Sequence, residues 1–358
     1  MELASVRDLS RRPVPATVEE IEAFETDVLS GFVLARASAG LSDSTVRNDL
    51  SHLEQVREWF GAPLWAMEPK DADAYFGKVT RGNSQATRLA RAQSLSTYFT
   101  FLELRFRAEL HELTGQLVQC PLDEMNWPRG RKDIGLRIPP TDAEIDVLFA
   151  GWRAELTTCR KFATAARNYT ASRLMSLIGL RVNEVRCLDL DDMRWELGRF
   201  GKLHVRFGKG SQGSGPRQRV TPLINGADRL LRWYIEDVWG LFDEDHTRPG
   251  APLFPSERRN ADGSAARVSP ESYRRGLREA AQVHLPHWVD LLTPHVLRHY
   301  CASQLYGAGM DLIAIQELLG HWWITTTMRY VHVHQTHVED AWIAGPQRAA
   351  ARMEGLLG

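Results

Sequence analysis

A proline-rich interruption limits this chain's fold more than any other feature. The stretch from Cys120 to Pro140 holds four prolines, the basic residues Arg129, Arg131, Lys132 and Arg137, and little hydrophobic periodicity. Proline removes a backbone donor and restricts the residue before it, so such a stretch forms neither a long helix nor a central strand. We read 119–140 as a basic linker between two domains, and 358 residues is a length that suits two cores.

The part before the linker, 14–118, reads as helical. Thr17 with Glu20 forms a capping box ahead of Ile21, Phe24, Val28 and Phe32 at helical spacing. A second helix starts near Ser42 or Ser44 and stops at Gly61 and Pro63; Pro69 opens a short third. Residues 84–112 read as one longer helix with Leu89, Leu95, Phe99, Leu102 and Phe106 on its apolar side. After the linker, Thr141 and Glu144 make another capping box, and 160–178 is helical. Then Leu203, Val205 and Phe207 alternate with polar residues, as do Val220 and its neighbours, with a Gly/Ser-rich loop from Gly208 to Pro216 between them. This is a β-hairpin pattern. Helices are expected again at 226–241 and 270–283, and 243–268 reads as a surface insertion.

Composition is ordinary for a soluble globular protein, with 43% hydrophobic and 25% charged residues. No run approaches the roughly 18 apolar residues of a membrane span. The start lacks a basic segment followed by an apolar run, so no signal peptide and a cytoplasmic location are expected. Cys120, Cys159, Cys187 and Cys301 show no CxxC pairing, which fits reduced thiols rather than a disulfide framework or a structural zinc. The net charge of −1 is unlike that of a strongly basic nucleic-acid module, yet the balance is uneven. Residues 78–107 carry Lys78, Arg81, Arg88, Arg91, Arg105 and Arg107 against Glu103 alone. Such segments are usually solvated helix faces, but they can also hold phosphate.

The most informative segment is Thr293-Pro294-His295-Val296-Leu297-Arg298. Thr293 suits an N-cap and Pro294 the first helical position. His295 and Arg298 are three apart, so an imidazole and a guanidinium share one face of a helix start, an arrangement fit for an anion. Asp311 caps a following helix that stops at Gly320, with His321 directly after it and Tyr330 further on. Earlier, Gly179 places Arg181 at a helix junction where Glu184 can brace it, and Lys209 sits in the Gly208-Lys209-Gly210 turn. Each piece alone is common. A lone tyrosine is most often a core residue.

The set in order is not common. Arg181, Lys209, His295-x-x-Arg298, His321 and Tyr330, with the local strings GLRVNEV, GKG, RVTPL, TPHVLRHYCAS, ELLGH and TTMRYVHV, resemble the tyrosine recombinase (lambda-type integrase) family over about 141–345. The resemblance implies a mainly α fold with a small antiparallel β-sheet: an N-terminal helical DNA core-binding domain (14–118, SAM-like), an α+β catalytic domain (141–345) and a tail helix (346–358) that docks on a neighbouring protomer. It implies DNA strand cleavage and rejoining through a 3′-phosphotyrosyl link and a Holliday junction, in integration, excision, resolution or transposition. Implied partners are specific double-stranded DNA sites, a homo-tetramer on DNA built from chains that can be monomeric when free, and an accessory bending or directionality factor. The implied setting is the bacterial nucleoid. No cofactor is expected. With little sequence before residue 14, a simple two-domain recombinase is expected.

The chemistry suits these residues. Arg181 and Arg298 can hold the non-bridging oxygens of the scissile phosphate as it gains charge. Tyr330 attacks; with an ordinary pKa of about 10 it needs cations and a base, for which His295 is the candidate. Lys209 is the candidate acid for the leaving 5′ oxygen, and His321 a hydrogen-bond donor to phosphate. Lys78, Arg81, Arg88, Arg91, Arg129, Arg131 and Lys132 are the candidate DNA contacts, forming with the catalytic domain a clamp on the duplex. Three other readings stay open: a type IB topoisomerase-like enzyme, an inactive DNA-binding protein of the same fold, and a metal enzyme using His332, His334 and His337. For the last, neither HExxH nor a finger spacing is present, and Asp189, Asp191 and Asp192 have no partner motif.

Overall fold

The computed structural model describes residues 17–115, 117–129, 138–208 and 217–320. The chain divides into two units, Met1–Gly135 and Leu136–Gly358.

The first unit is helical among its described residues. Helix α1 (Val18–Ser38) starts on the Thr17/Glu20 capping box, with both reciprocal bonds formed. Helix α2 (Asp43–Phe60) starts on Ser42 and ends on Gly61 in the left-handed conformation. Helix α3 (Pro69–Ala74) runs into a wider π turn, Tyr75–Val79. The expected single helix over 84–112 is two, α4 (Gln85–Arg105) and α5 (Arg107–Thr114). The break comes at Phe106, whose φ of −125° swings its ring against Phe24 and Phe101, at centroid distances of 6.0 and 5.4 Å. Packing this half-buried ring offsets the helical hydrogen bonds lost at the break, which the Phe106 amide to the Leu102 carbonyl and the Leu110 amide to the Phe106 carbonyl keep few. The core is built on Phe32, which meets Tyr98 and Phe101 edge-on, with Leu53, Leu95, Phe99 and Leu102. The start of the expected linker packs on this core: Val118 and Leu122 are buried and Trp127 is half-buried against it. The rest, 130–137, with Arg131 and Lys132, lies outside the described residues.

The second unit opens with α6 (Asp142–Glu155), capped by Thr141 and Glu144. Then come α7 (Phe162–Ile178) and the short α8 (Val182–Arg186). Strands β1 (Met193–Arg194), β2 (Lys202–Gly208) and β3 (Arg217–Pro222) form an antiparallel sheet in that order, with Leu203 opposite Thr221 and Val205 opposite Arg219. The register slips between Val205 and Gly208, where Gly208 pairs with Arg217. A bulge of this kind inverts the alternation. Leu203 and Val205 face inward as expected, but Phe207 is exposed and Gly208 is buried. On β3 the expected phase is also inverted: Val220 is exposed, while Thr221 is fully buried.

Helix α9 (Ala227–Trp233) continues through a π turn, Tyr234–Val238, and the 3₁₀ turn Trp239–Phe242. The expected surface insertion is partly core. Ala251, Leu253 and Phe254 are buried, and the Leu253 amide donates to the Leu188 carbonyl at 2.9 Å. A hairpin of β4 (Pro255–Arg259) and β5 (Ala265–Arg267) follows. Helix α10 (Pro270–His284) precedes α11 (Pro294–Gly307), which packs against α7, and α12 (Leu312–Leu319). Cys301, Leu305, Ile315, Leu318 and Leu319 form a small core between α11 and α12.

Candidate active site

The ends of two helices converge with the start of a third. Helix α7 ends at Gly179 and α12 at Gly320, both left-handed, with φ of +67° and +66°. Glycine is required at both. A Cβ on Gly179 would lie 2.2 Å from Leu319 Cδ2, and one on Gly320 would lie 2.9 Å from Arg219 Cδ. This tight approach brings two sets of unpaired terminal carbonyls together, the negative ends of two helix dipoles.

Arginines fill the space. Arg181 is the N-cap residue of α8, and its Nη2 donates to the Gly320 carbonyl at 3.4 Å. Arg298, on α11, donates Nη1 to the Gly179 carbonyl and Nη2 to the Leu319 carbonyl, the latter at 2.7 Å. Arg219, on β3, donates Nε to the Leu318 carbonyl at 3.0 Å. Among the described residues a single carboxylate sits with them. Glu184 accepts a fork from Arg219, Nη1 at 2.9 Å and Nη2 at 2.8 Å, and one bond from Arg181 Nη1 at 2.6 Å. It also accepts the Arg181 backbone amide at 2.8 Å, and Arg298 Nη1 lies 3.8 Å away. Burial alone would push the Glu184 carboxyl up. The hydrogen bonds and charge of Arg219, with the charges of Arg181 and Arg298, hold it down at about 2. Three guanidiniums against one carboxylate leave the cluster cationic at neutral pH.

The three arginines differ in access. The side chain of Arg298 is 2% exposed, that of Arg219 9% and that of Arg181 25%. Arg181 also holds the longest of the carbonyl bonds, which is a weak one. Its outer nitrogen is therefore the easiest to turn towards an incoming anion. His295 is exposed in the first turn of α11, with Thr293 as N-cap and Pro294 before it, and its ring lies 4.9 Å from that of the largely buried His299.

Of the six catalytic residues expected from sequence, Arg181, His295 and Arg298 are described. Lys209, His321 and Tyr330 lie outside the described residues, as do His332, His334, His337 and the tail 346–358. Glu184 braces Arg181 as expected, and Arg219 joins the cluster unanticipated. Its only sequence signal is position: it opens the RVTPL string after the hairpin tip. Two of the acidic trio are occupied by ion pairs, Asp189 with Arg206 and Arg267 and Asp192 with Arg206, and Asp191 accepts the Gly250 backbone amide at 3.3 Å. Among the described residues no group of His, Cys, Asp and Glu is arranged to hold a metal ion, and no helix is long and apolar enough to cross a membrane.

In the first unit, Lys78 and Arg81 are exposed. Arg88 and Arg91 are half-buried and engaged within the unit. Arg88 Nη2 donates to the Phe76 carbonyl at 3.0 Å, and Arg91 donates to the Tyr75 hydroxyl at 3.1 Å and to Gln55. Arg129 is exposed and donates to the Glu124 carbonyl.

Residues 153–337 match the phage integrase family. The chain belongs to that family. Within it, the chain is 35% identical to the tyrosine recombinase XerD of Rhizobium meliloti (strain 1021) over 330 residues, covering 88% of this chain and 94% of the relative. Two solved structures share the integrase fold at lower identity. One is the XerH site-specific recombinase bound to its palindromic difH substrate after cleavage, with TM-score 0.61, 19% identity, and coverage of 91% of this chain and 84% of that one. The other is a lambda integrase dimer bound to a COC′ core site, with TM-score 0.58, 18% identity, and coverage of 86% and 95%. The mainly α architecture with small antiparallel sheets is the one these recombinases share, and the chain is a tyrosine-type site-specific recombinase.

Proposed function

We propose that this recombinase cuts and rejoins double-stranded DNA at a specific site through a 3′-phosphotyrosyl link to Tyr330. The observation that carries the reading is the cationic cluster of Arg181, Arg219 and Arg298 around the ionised Glu184, at the end of the helix that precedes His321. Arg181 turns its outer nitrogen to a non-bridging oxygen of the scissile phosphate. Arg298 exchanges a carbonyl partner for the second oxygen, and both meet the charge that builds as phosphorus becomes five-coordinate. His295 takes the Tyr330 proton, His321 donates to the phosphate, and Lys209 returns a proton to the leaving 5′ oxygen. The bond energy stays in the phosphotyrosyl ester, so a free 5′ hydroxyl can reverse the step without ATP.

Strand exchange proceeds through a Holliday junction in a tetramer, with the tail 346–358 docked on a neighbour and an accessory factor setting direction. Lys78, Arg81, Arg129, Arg131 and Lys132 bind the phosphate backbone from the first unit and the linker, and the setting is the DNA of a bacterial cytoplasm. A nicked suicide duplex, carrying the sequence trapped by the protein in its host, tests this. Wild type should form a covalent adduct, Tyr330→Phe none, and Arg181→Ala none while still binding DNA. An adduct that persists in Tyr330→Phe refutes the assignment. Relaxation of supercoils by single protomers with no exchange between sites would point to topoisomerase chemistry instead.

A further inference from the structure

We infer that Arg219 is a positioning residue for strand cleavage, acting through Glu184 on Arg181 and through the Leu318 carbonyl on the end of α12. The inference rests on the proposed recombinase chemistry and adds a residue to it. Arg181 also bonds Glu184 and the Gly320 carbonyl, but among the described residues it is Arg219 that forks onto both oxygens of the carboxylate that holds Arg181 while bonding the helix end that precedes His321. All three of its guanidinium nitrogens are committed, at 2.8 to 3.0 Å, and its aliphatic stem fills the space that a Cβ on Gly320 would need. It also lies on β3, directly opposite Val205 of β2, the strand that ends at Gly208, the residue before Lys209 in sequence. One planar fork thus fixes three parts that must meet at a phosphate: the hairpin, the Arg181 junction and the α12 terminus. Lysine has one point donor and cannot hold both carboxylate oxygens and a carbonyl in a plane.

The test uses the full chain with Arg219→Ala and Arg219→Lys. Single-turnover adduct formation at saturating protein is measured on the nicked duplex, alongside DNA affinity and the urea unfolding midpoint. Displacing a reacting group by about 1 Å costs on the order of 100-fold in rate, so Arg219→Ala should cleave roughly 100-fold slower while its DNA affinity stays within about 3-fold. Added guanidinium ion at millimolar concentration should restore part of the rate in Arg219→Ala and none in Arg181→Ala. Arg219→Lys, which keeps the charge and the fold, should remain slow. Wild-type cleavage by Arg219→Lys overturns the inference, as does loss of affinity in step with rate, or absence of guanidinium rescue in a folded Arg219→Ala. If Arg219→Ala does not fold, the lysine variant alone decides. If wild type forms no adduct, the recombinase reading itself fails and takes this inference with it.

Discussion

Replacing Glu184 by glutamine should destabilise the catalytic unit in a pH-dependent way. The carboxyl is held at about 2 rather than at its ordinary 4.5, by Arg219, Arg181 and Arg298 acting against its burial. At about 1.4 kcal/mol per pH unit, this difference makes the ionised group worth about 3 kcal/mol at pH 7. The side chain is 1% exposed, so solvent does little to screen it. Glutamine keeps the shape but turns an N–H₂ towards an arginine that is itself a donor, leaving buried cations uncompensated. The sign follows from a depressed folded-state pKa. The stabilisation is complete above about 4.5 and fades as pH falls towards 2, so about 1 kcal/mol remains at pH 3. The assay is urea unfolding of wild type and Glu184→Gln, followed by circular dichroism at pH 7 and pH 3. The gap between the two proteins should be about 3 kcal/mol at pH 7 and should narrow by about 2 kcal/mol at pH 3. A gap that is constant across this range, or below about 1 kcal/mol at pH 7, would refute the view that the arginines are held by an ionised Glu184.

Gly320→Ala should cost about 1 to 2 kcal/mol for the left-handed backbone alone, and more because its Cβ would lie 2.9 Å from Arg219 Cδ. Gly309→Ala, with φ +88° and nothing within 4 Å, carries only the backbone part, so thermal melts and cleavage rates of the pair separate strain from the displacement of Arg219. For DNA binding, Lys78→Ala and Arg81→Ala should each lower the slope of log affinity against log salt by about one, as loss of a phosphate contact does. Arg88→Ala and Arg91→Ala should lower the melting temperature instead, since their guanidiniums already bond Phe76, Tyr75 and Gln55. A filter-binding salt titration that moves with Arg88 and not with Arg81 would reverse this division.

Local chemistry alone determined much of this protein. The Thr17/Glu20 and Thr141/Glu144 boxes, the Ser42, Thr293 and Asp311 caps, and the stops at Gly61, Gly179 and Gly320 form where the residues call for them. Capping and left-handed stops depend on contacts within a few residues, so a linear reading captures them. The pairing of His295 with Arg298 and the bracing of Arg181 by Glu184 are local in the same way, each three residues apart. Tertiary structure decided what depends on distant partners. Helix α4 ends early because Phe106 finds Phe24, about 80 residues away in sequence. Val118 and Leu122 join the first core although prolines surround them. The register that sets Thr221 opposite Leu203 and Arg219 opposite Val205 buries Thr221 and leaves Val220 exposed, and in that register the Arg219 side chain reaches Glu184 and the end of α12. Apolar alternation pointed to Val220 as the inward residue. The residue that ties the site together was hidden because a one-residue shift in a strand exchanges its faces, and nothing in the strand itself records the shift.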